Sequence, residues 1–574
     1  MKKFLSTLLL SMAVYVANAI PAYPGIWRTV KLADGSEVKV MLRGDEHVHF
    51  WQSADGTAYV PDGESGLFKA VSMKSLEKKA VARQKRMARA ANTKGQRFRA
   101  PGENKNPAIF QGSKRGLILL VEFSDKHFSM PSPKNFYTHV ANDKGYREGR
   151  FQGSIRDYFH AQSGGQFDLT FDIVGPIRLS RPYRYYGMNN DDHAADMIRT
   201  ACFQAKDSVD FSTYDWDNDG EAEEVFVLYA GHGQADAPVE DDDLIWPHMS
   251  NLASAGYRNF KLDNTIINTY ACSSELRYTK LGGSEVAGIG TFCHEFSHCM
   301  GFPDMYDTAY SGNYGMGSWD LMDNGAYNGD GFVPAGYTGY EKMVCGWTKP
   351  VELTADTTIT GMQCLADMGQ TYIVYNDADR NEYYILDNRQ LKGFDAQLPG
   401  RGMIISHIDY DATLWRYNAV NTTVGTYAYG NDHQHVTIFH ANGYDESMSH
   451  SGLGRLLMQD EGGATYPYMK NDSLTATSTP AAMLYNENSE GKKLMNYSIL
   501  NIKQQGDGSM SFVFRKSARQ NIQPVPPVPA DIKGVDMTPA RTHRVYSISG
   551  TFLGTDIEKM PHGIYIVDGK KIVK

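Results

Sequence analysis

Long apolar runs are scarce in this sequence. Beyond the first twenty residues no stretch approaches the roughly 20 apolar residues that a membrane-crossing helix needs, so no transmembrane segment is expected. Cysteine is scarce too, with six in 574 residues: Cys202, Cys272, Cys293, Cys299, Cys345 and Cys364. Disulfides are permitted, but a densely cross-linked scaffold is excluded. Spacing removes only the pair Cys293–Cys299, which flanks an expected helix: six helical residues rise about 9 Å, and a disulfide spans at most about 7 Å between Cα atoms. The other pairings stay open. Positive charge is not in excess, with 57 Lys and Arg against 66 Asp and Glu, a net charge of −9 and a pI near 6.0. That balance argues against a nucleic-acid-binding surface. No solenoid-like repeat is found. Apolar residues, by contrast, make up 41% of the chain, enough for true cores, and the length implies roughly two to four folded units.

The N-terminus has the build of a secretory leader. Lys2 and Lys3 supply the positive end, Phe4 to Val16 the apolar stretch, and Ala17-Asn18-Ala19 a small-residue cleavage site. Residues 1–19 are therefore expected to be a signal peptide and the product secreted or surface-exposed. Residues 20–105 read as a propeptide. It opens with short strands such as Glu37-Val38-Lys39-Val40, separated by the turns Asp34-Gly35, Asp55-Gly56 and Asp62-Gly63. Between Lys78 and Arg99 it becomes wholly basic, with Lys79, Arg83, Lys85, Arg86, Arg89, Lys94 and Arg97, the character of an exposed processing linker.

Residues 106–350 look like the chemical centre. Gly116 to Phe123 and Val225 to Ala230 are nearly continuous apolar runs suited to buried strands, and Ser154 to Phe159 and Ala194 to Ala205 read as helical. A helix from Thr291 carries His294-Glu295-Phe296-Ser297-His298. Histidines four apart share a helix face and reach one ion, and zinc takes such nitrogens in a tetrahedral shell. Glu295 sits one residue along, placed to accept a proton from an attacking water. Gly301 is suited to the left-handed turn that ends a helix, and Pro303 blocks continuation, so the chain can return Asp304 as a third ligand. Ser318-Trp319-Asp320-Leu321-Met322 can form a turn below, with Met322 as an apolar floor.

This signature resembles the metzincin clan of zinc peptidases, with Asp304 where most members have a third histidine. That variant is similar to the immune inhibitor A family of secreted bacterial metalloproteases. Further stretches carry the likeness: Leu119-Leu120-Val121-Glu122-Phe123-Ser124-Asp125, Gly315 to Met322, Gly346-Trp347, and Glu382-Tyr383-Tyr384-Ile385-Leu386-Asp387-Asn388-Arg389. The resemblance runs from about Arg115 to Phe514. It implies an α+β, metzincin-like catalytic domain with a zinc cleft between two subdomains, acting as an endopeptidase on protein or peptide substrates. A catalytically inactive relative that binds host or matrix proteins is the alternative, but it would have no need of Glu295. Many metzincins place a tyrosine two residues after the turn methionine; here that position is Asn324, leaving Tyr327 and Tyr337 as candidates to aid the oxyanion.

Other expectations are subsidiary. Asp215, Asp217 and Asp219 alternate before Gly220, with Glu223 following, a spacing that suits a calcium loop; Phe226 at the twelfth position excludes an EF-hand. No cysteine precedes Cys202, so the propeptide has no cysteine latch, and Asp45 in the turn Arg43-Gly44-Asp45 is a candidate to reach the zinc instead. His232, His248 and His407 receive no role. Residues 351–516 read as a β-rich module, and 517–535 as a Pro-containing linker with Pro524, Pro526, Pro527 and Pro529. Residues 536–574 form a small β-module that resembles sorting domains of the type IX secretion route, which implies secretion machinery as a partner.

Overall fold

The computed structural model describes residues 17–46, 48–79, 82, 107–238, 243–310, 312–423, 431–443 and 461–517, with the strand residues 545–547, 552–554, 564–567 and 570–573. Most of the leader, most of the basic linker and the proline tether lie outside the described residues. Residues up to Ser517 form one compact unit and those from Ala518 a second.

The first unit mixes helix and sheet. Its principal sheet runs, edge to edge, through Ala17–Asn18, His248–Asn251, Thr269–Tyr278, Val225–His232, Gly112–Glu122 and Phe167–Arg178. The last four are parallel neighbours, while His248–Asn251 runs antiparallel at the edge. The apolar runs seen in the sequence are continuous because both faces of this sheet are covered. Leu117, Leu119, Val121, Val225 and Val227 pack on one side with Ile198, Ala201 and Cys202 of the helix Ala194–Ala205. Ile118, Leu120, Phe226 and Leu228 pack on the other, with Phe292 and Phe296 of the helix Gly290–Cys299. The helix Ile155–Gln162 lies on that second side and begins with a reciprocal cap between Ser154 and Asp157.

Residues after Pro350 add two more sheets. One orders Val351–Glu352, Tyr372–Tyr375, Glu382–Arg389, Gly402–Asp409 and Val436–Ile438; the other orders Thr357–Met362, Met510–Lys516 and Tyr497–Gln504. The strand Glu382–Arg389 is buried throughout. Tyr383 and Ile385 face the core shared with the metal helix, and Tyr384 and Leu386 face the core of the three-stranded sheet. The β-rich stretch is thus packed into the catalytic unit along a whole face. A separate five-stranded antiparallel meander, Trp27–Lys31 to Phe68–Val71, lies before the basic stretch. The second unit, taken by itself, is a four-stranded antiparallel sheet ordered 552–554, 545–547, 564–567, 570–573.

None of the six cysteines is bonded to another.

Candidate metal centre and cleft

The helix Gly290–Cys299 is fixed at both ends by glycine. At its start Gly290 abuts the turn beyond Met322 so closely that a Cβ would lie 1.9 Å from the Ala326 carbonyl oxygen. At its end Gly301 adopts φ +101 and donates to the His298 carbonyl. Phe292 stacks on Phe226, centroids 3.8 Å apart, and Phe296 meets Phe171 edge to face, which anchors one helix face to the sheet. His294 and His298 are left on another face, where the returning chain brings Asp304. Asp304 Oδ1 lies 3.1 Å from His294 Nε2 and 3.4 Å from His298 Nε2, with all three residues buried.

The tautomers follow from the other ring nitrogens. His294 Nδ1 donates to the Leu321 carbonyl at 2.8 Å and His298 Nδ1 to the Phe302 carbonyl at 2.7 Å. Both Nε2 atoms therefore present lone pairs toward one carboxylate, and His298 Nε2 is buried without a hydrogen-bond partner. Two convergent imidazole lone pairs and a carboxylate are a donor set that fits zinc. The group His294, His298 and Asp304 also meets the spacing for one shared ion. Burial alone would raise the Asp304 pKa, but its interactions with His298 and His294 draw it down to about 2. Burial lowers that of His294, against the pull of Asp304.

Met322 is fully buried, its carbonyl accepting from Met305 N at 2.8 Å and its amide donating to Asp320 at 2.7 Å. Asn418 was not expected from the sequence. Its Oδ1 accepts from the Asp304 amide at 2.6 Å while its Nδ2 donates to Asp304 Oδ2, so it clamps the carboxylate from 114 residues away. Outer contacts of this kind typically govern metal affinity 10- to 100-fold. Asn418→Ala is expected to weaken zinc binding by about that factor in a competition titration with a fluorescent chelator.

Across the cleft lies the chain's own backbone. Ala17–Asn18 pair antiparallel with Met249 and Ser250 of the edge strand. Ile20 N donates to Glu295 Oε1 at 2.9 Å, and Tyr306 OH donates to the Ala19 carbonyl at 2.6 Å. Trp246 Nε1 holds the Ile20 carbonyl at 2.9 Å and Tyr327 OH the Pro21 carbonyl at 2.6 Å. One peptide bond, Ala19–Ile20, thus has its carbonyl on a tyrosine and its amide on Glu295. Burial, together with the carboxylates of Asp304, Glu46 and Glu224, raises the Glu295 pKa well above the usual range, although the Ile20 amide opposes this.

Of the two tyrosines singled out by sequence, Tyr327 touches the segment one residue further along, and Tyr337 is buried against Ser297 Oγ. Asn324 donates to Asp323 instead of facing the cleft peptide. Tyr306, two residues after Asp304, is the one on the Ala19 carbonyl. Asp45 accepts from Val48 N at 3.0 Å within its own turn. In the acidic loop Asp215, Asp217 and Glu223 converge within the spacing for one cation, while Asp219 is exposed and its Oδ1 accepts from the Glu221 amide. Asp215 itself accepts from Asp219 N and Gly220 N. His248 is bonded to the Trp246 carbonyl and His407 to Glu382.

Residues 111–347 match the sequence profile of the immune inhibitor A peptidase M6 catalytic domain. Over this stretch the chain is similar to M6 metallopeptidase catalytic domains. The chain is 26% identical over 279 residues to the pre-pro-metalloprotease PrtV of Vibrio cholerae, covering 41% of this chain and 30% of that protein. It is 24% identical over 284 residues to immune inhibitor A of Bacillus thuringiensis subsp. alesti, covering 41% of each. The chain therefore spans well under half the length of these relatives. Within residues 111–347 lie the metal helix, Asp304, the Met322 turn and Trp347, whose Nε1 donates to the Phe110 carbonyl and whose ring stacks on Tyr337. Asn418 lies beyond their C-terminal limit, in the β-rich stretch. Among the described residues no helix is long and apolar enough to cross a membrane.

Proposed function

We propose that this chain is a secreted, zinc-dependent endopeptidase of metzincin-like build, made as a proenzyme. The observation that carries this reading is the buried His294–His298–Asp304 cluster, both imidazoles turned toward one carboxylate, with Glu295 beside them on the same helix. Zinc held by those three residues would supply Lewis acidity toward the scissile carbonyl and the attacking water. Glu295 takes the water's proton and passes it to the leaving amine; its 2.9 Å contact with Ile20 N marks where that nitrogen sits. Tyr306 donates to the carbonyl oxygen and continues to do so as negative charge develops there. Trp246, Tyr327 and the edge strand hold the backbone in register by its own amides and carbonyls, a mode indifferent to most side chains. Tyr306→Phe is expected to lower kcat about 10- to 100-fold with KM changed less than about twofold, read from steady-state kinetics on a quenched peptide.

The same segment supports latency. While Ile20 and Pro21 are held by Glu295, Trp246 and Tyr327, no other peptide can take that path. Activity is therefore assigned to the form that has lost residues 20–105, with the basic stretch as the processing site. The loop of Asp215, Asp217 and Glu223 is proposed to take calcium, with Asp219 serving the turn. The C-terminal unit is proposed as a sorting module for the secretion machinery.

The test is casein cleavage by processed protein, with and without a zinc chelator, and with Glu295→Ala alongside. Activity that is lost to the chelator, restored by zinc and missing in the variant supports an endopeptidase. An intact, zinc-loaded, processed protein that binds casein without cutting it would replace this reading with that of an inactive binding protein.

A further inference from the structure

A second cluster of metal-binding type stands outside residues 111–347. His433 and His435 lie two apart on the irregular stretch that leads into the strand Val436–Ile438, and their stacked rings put the two side chains on the same side. Asp409 ends the neighbouring strand Gly402–Asp409, and its amide donates to the His435 carbonyl at 2.9 Å, which fixes the register between them. One ligand atom from each of the three residues falls within 4.8 Å of the others.

The hydrogen bonds call for a cation. His433 Nδ1 is 2.7 Å from Asp432 Oδ1, and its Nε2 is 2.8 Å from Asp409 Oδ2. Both neighbours are carboxylate oxygens, and a neutral imidazole has one proton to donate. Either the ring carries a second proton or a metal stands between ring and carboxylate. The second arrangement is the usual carboxylate–histidine–metal relay, with Asp432 as the outer carboxylate. Asp409 Oδ1 accepts from Asn486 Nδ2 at 3.1 Å, so its Oδ2 is held toward the histidines. His435 Nδ1 is bonded to the Asp409 carbonyl and lies 3.9 Å from Asp409 Oδ2, so it is the ring nitrogen that faces the carboxylate. The site opens to solvent at His433, one-fifth exposed, while Asp409 and His435 sit further in. The rings of His433 and His435 face each other, centroids 4.1 Å apart with 20° between planes, and Tyr485 stacks on the outer side of His433 at 3.7 Å. A shared ion requires that angle to open.

We infer that Asp409, His433 and His435 form a second metal site, one that takes a divalent transition ion of the zinc class through two imidazoles and a carboxylate. The ion would fasten the strand end at Asp409 to the segment that returns through His435, whose amide donates to the Val420 carbonyl close to the Asn418 clamp.

The test counts metal on the full chain after it is stripped by a chelator, reloaded with zinc chloride alone and desalted. Wild type is expected to retain about two zinc ions per chain. His433→Gln should retain about one and cleave as wild type does. His294→Ala with His298→Ala should also retain about one, and the three changes together almost none. Asp409→Asn, isosteric at the buried ligand, should give the same count as His433→Gln. The inference falls if His433→Gln and Asp409→Asn hold as much zinc as wild type, for then a proton alone joins His433 to its two carboxylates. A wild type whose zinc is lost on His433→Gln but unaffected by the His294 and His298 changes would uphold this site and overturn the catalytic reading instead.

Discussion

Glu295→Gln is expected to leave zinc content unchanged and to lower cleavage by about 10²- to 10⁴-fold. Glutamine keeps the shape and an oxygen that the Ile20 amide can bond, so the segment still docks in the cleft. It removes the group that accepts and returns the proton, a contribution worth about two to four orders of magnitude. The ligands are untouched, because His294 and His298 are oriented by the Leu321 and Phe302 carbonyls and not by Glu295. Metal analysis and kcat measured on the same preparation separate the two effects. A loss of zinc along with rate would make Glu295 a positioning group, and an undiminished rate would give the base role to another residue. The neutral side chain should also fold well, because it keeps the Ile20 contact and brings no charge into a fully buried position.

The metal helix was legible in the sequence because its requirements are local. Spacing puts two imidazoles on one face, Gly301 ends the helix and Asp304 follows within a few residues. Each inference spans fewer than a dozen positions. The partners that complete the site do not obey local rules. Asn418 is joined to Asp304 by tertiary packing, and nothing in its surroundings marks an asparagine as a clamp. Trp246 meets Ile20 from 226 residues away. The acidic loop shows the opposite error of local reading. Alternation suggested four carboxylates pointing at one ion, but the turn at Asn218, with φ +59, breaks the alternation and leaves Asp219 outside the group. Beyond Pro350 the strands were legible and their packing was not. Tyr383-Tyr384-Ile385-Leu386 reads simply as apolar, and only the three-dimensional arrangement assigns alternate residues to two different cores.

That shared strand carries a deeply buried ion pair, and breaking it should cost more stability than any other single change proposed here. Arg389 is fully buried, its Nε 2.8 Å and Nη2 2.7 Å from the two oxygens of Asp395, with Nη2 also donating to the Gly336 carbonyl at 2.9 Å and Nη1 to the Trp319 carbonyl at 3.3 Å. Asp395 in turn accepts from the Gly336 amide. The guanidinium therefore joins the β-rich sheet to the two loops that flank the Met322 turn, and the attraction of Asp395 keeps its pKa raised even against burial. Arg389→Met should lower the stability of the unit by about 3–5 kcal/mol, since Asp395 is left charged and buried and two carbonyls lose their donor. Urea denaturation followed by tryptophan fluorescence reads that loss directly, and Trp319 lies within the disturbed region. Adding Asp395→Leu removes the orphaned charge and should restore part of the loss but not all of it, because the Trp319 and Gly336 carbonyls stay unsatisfied at about 1–3 kcal/mol each. Full restoration would mean that the pair serves only itself; a partial one means that Arg389 ties the metal-floor loop to the sheet behind it, so that the β-rich stretch is required for a stable catalytic centre.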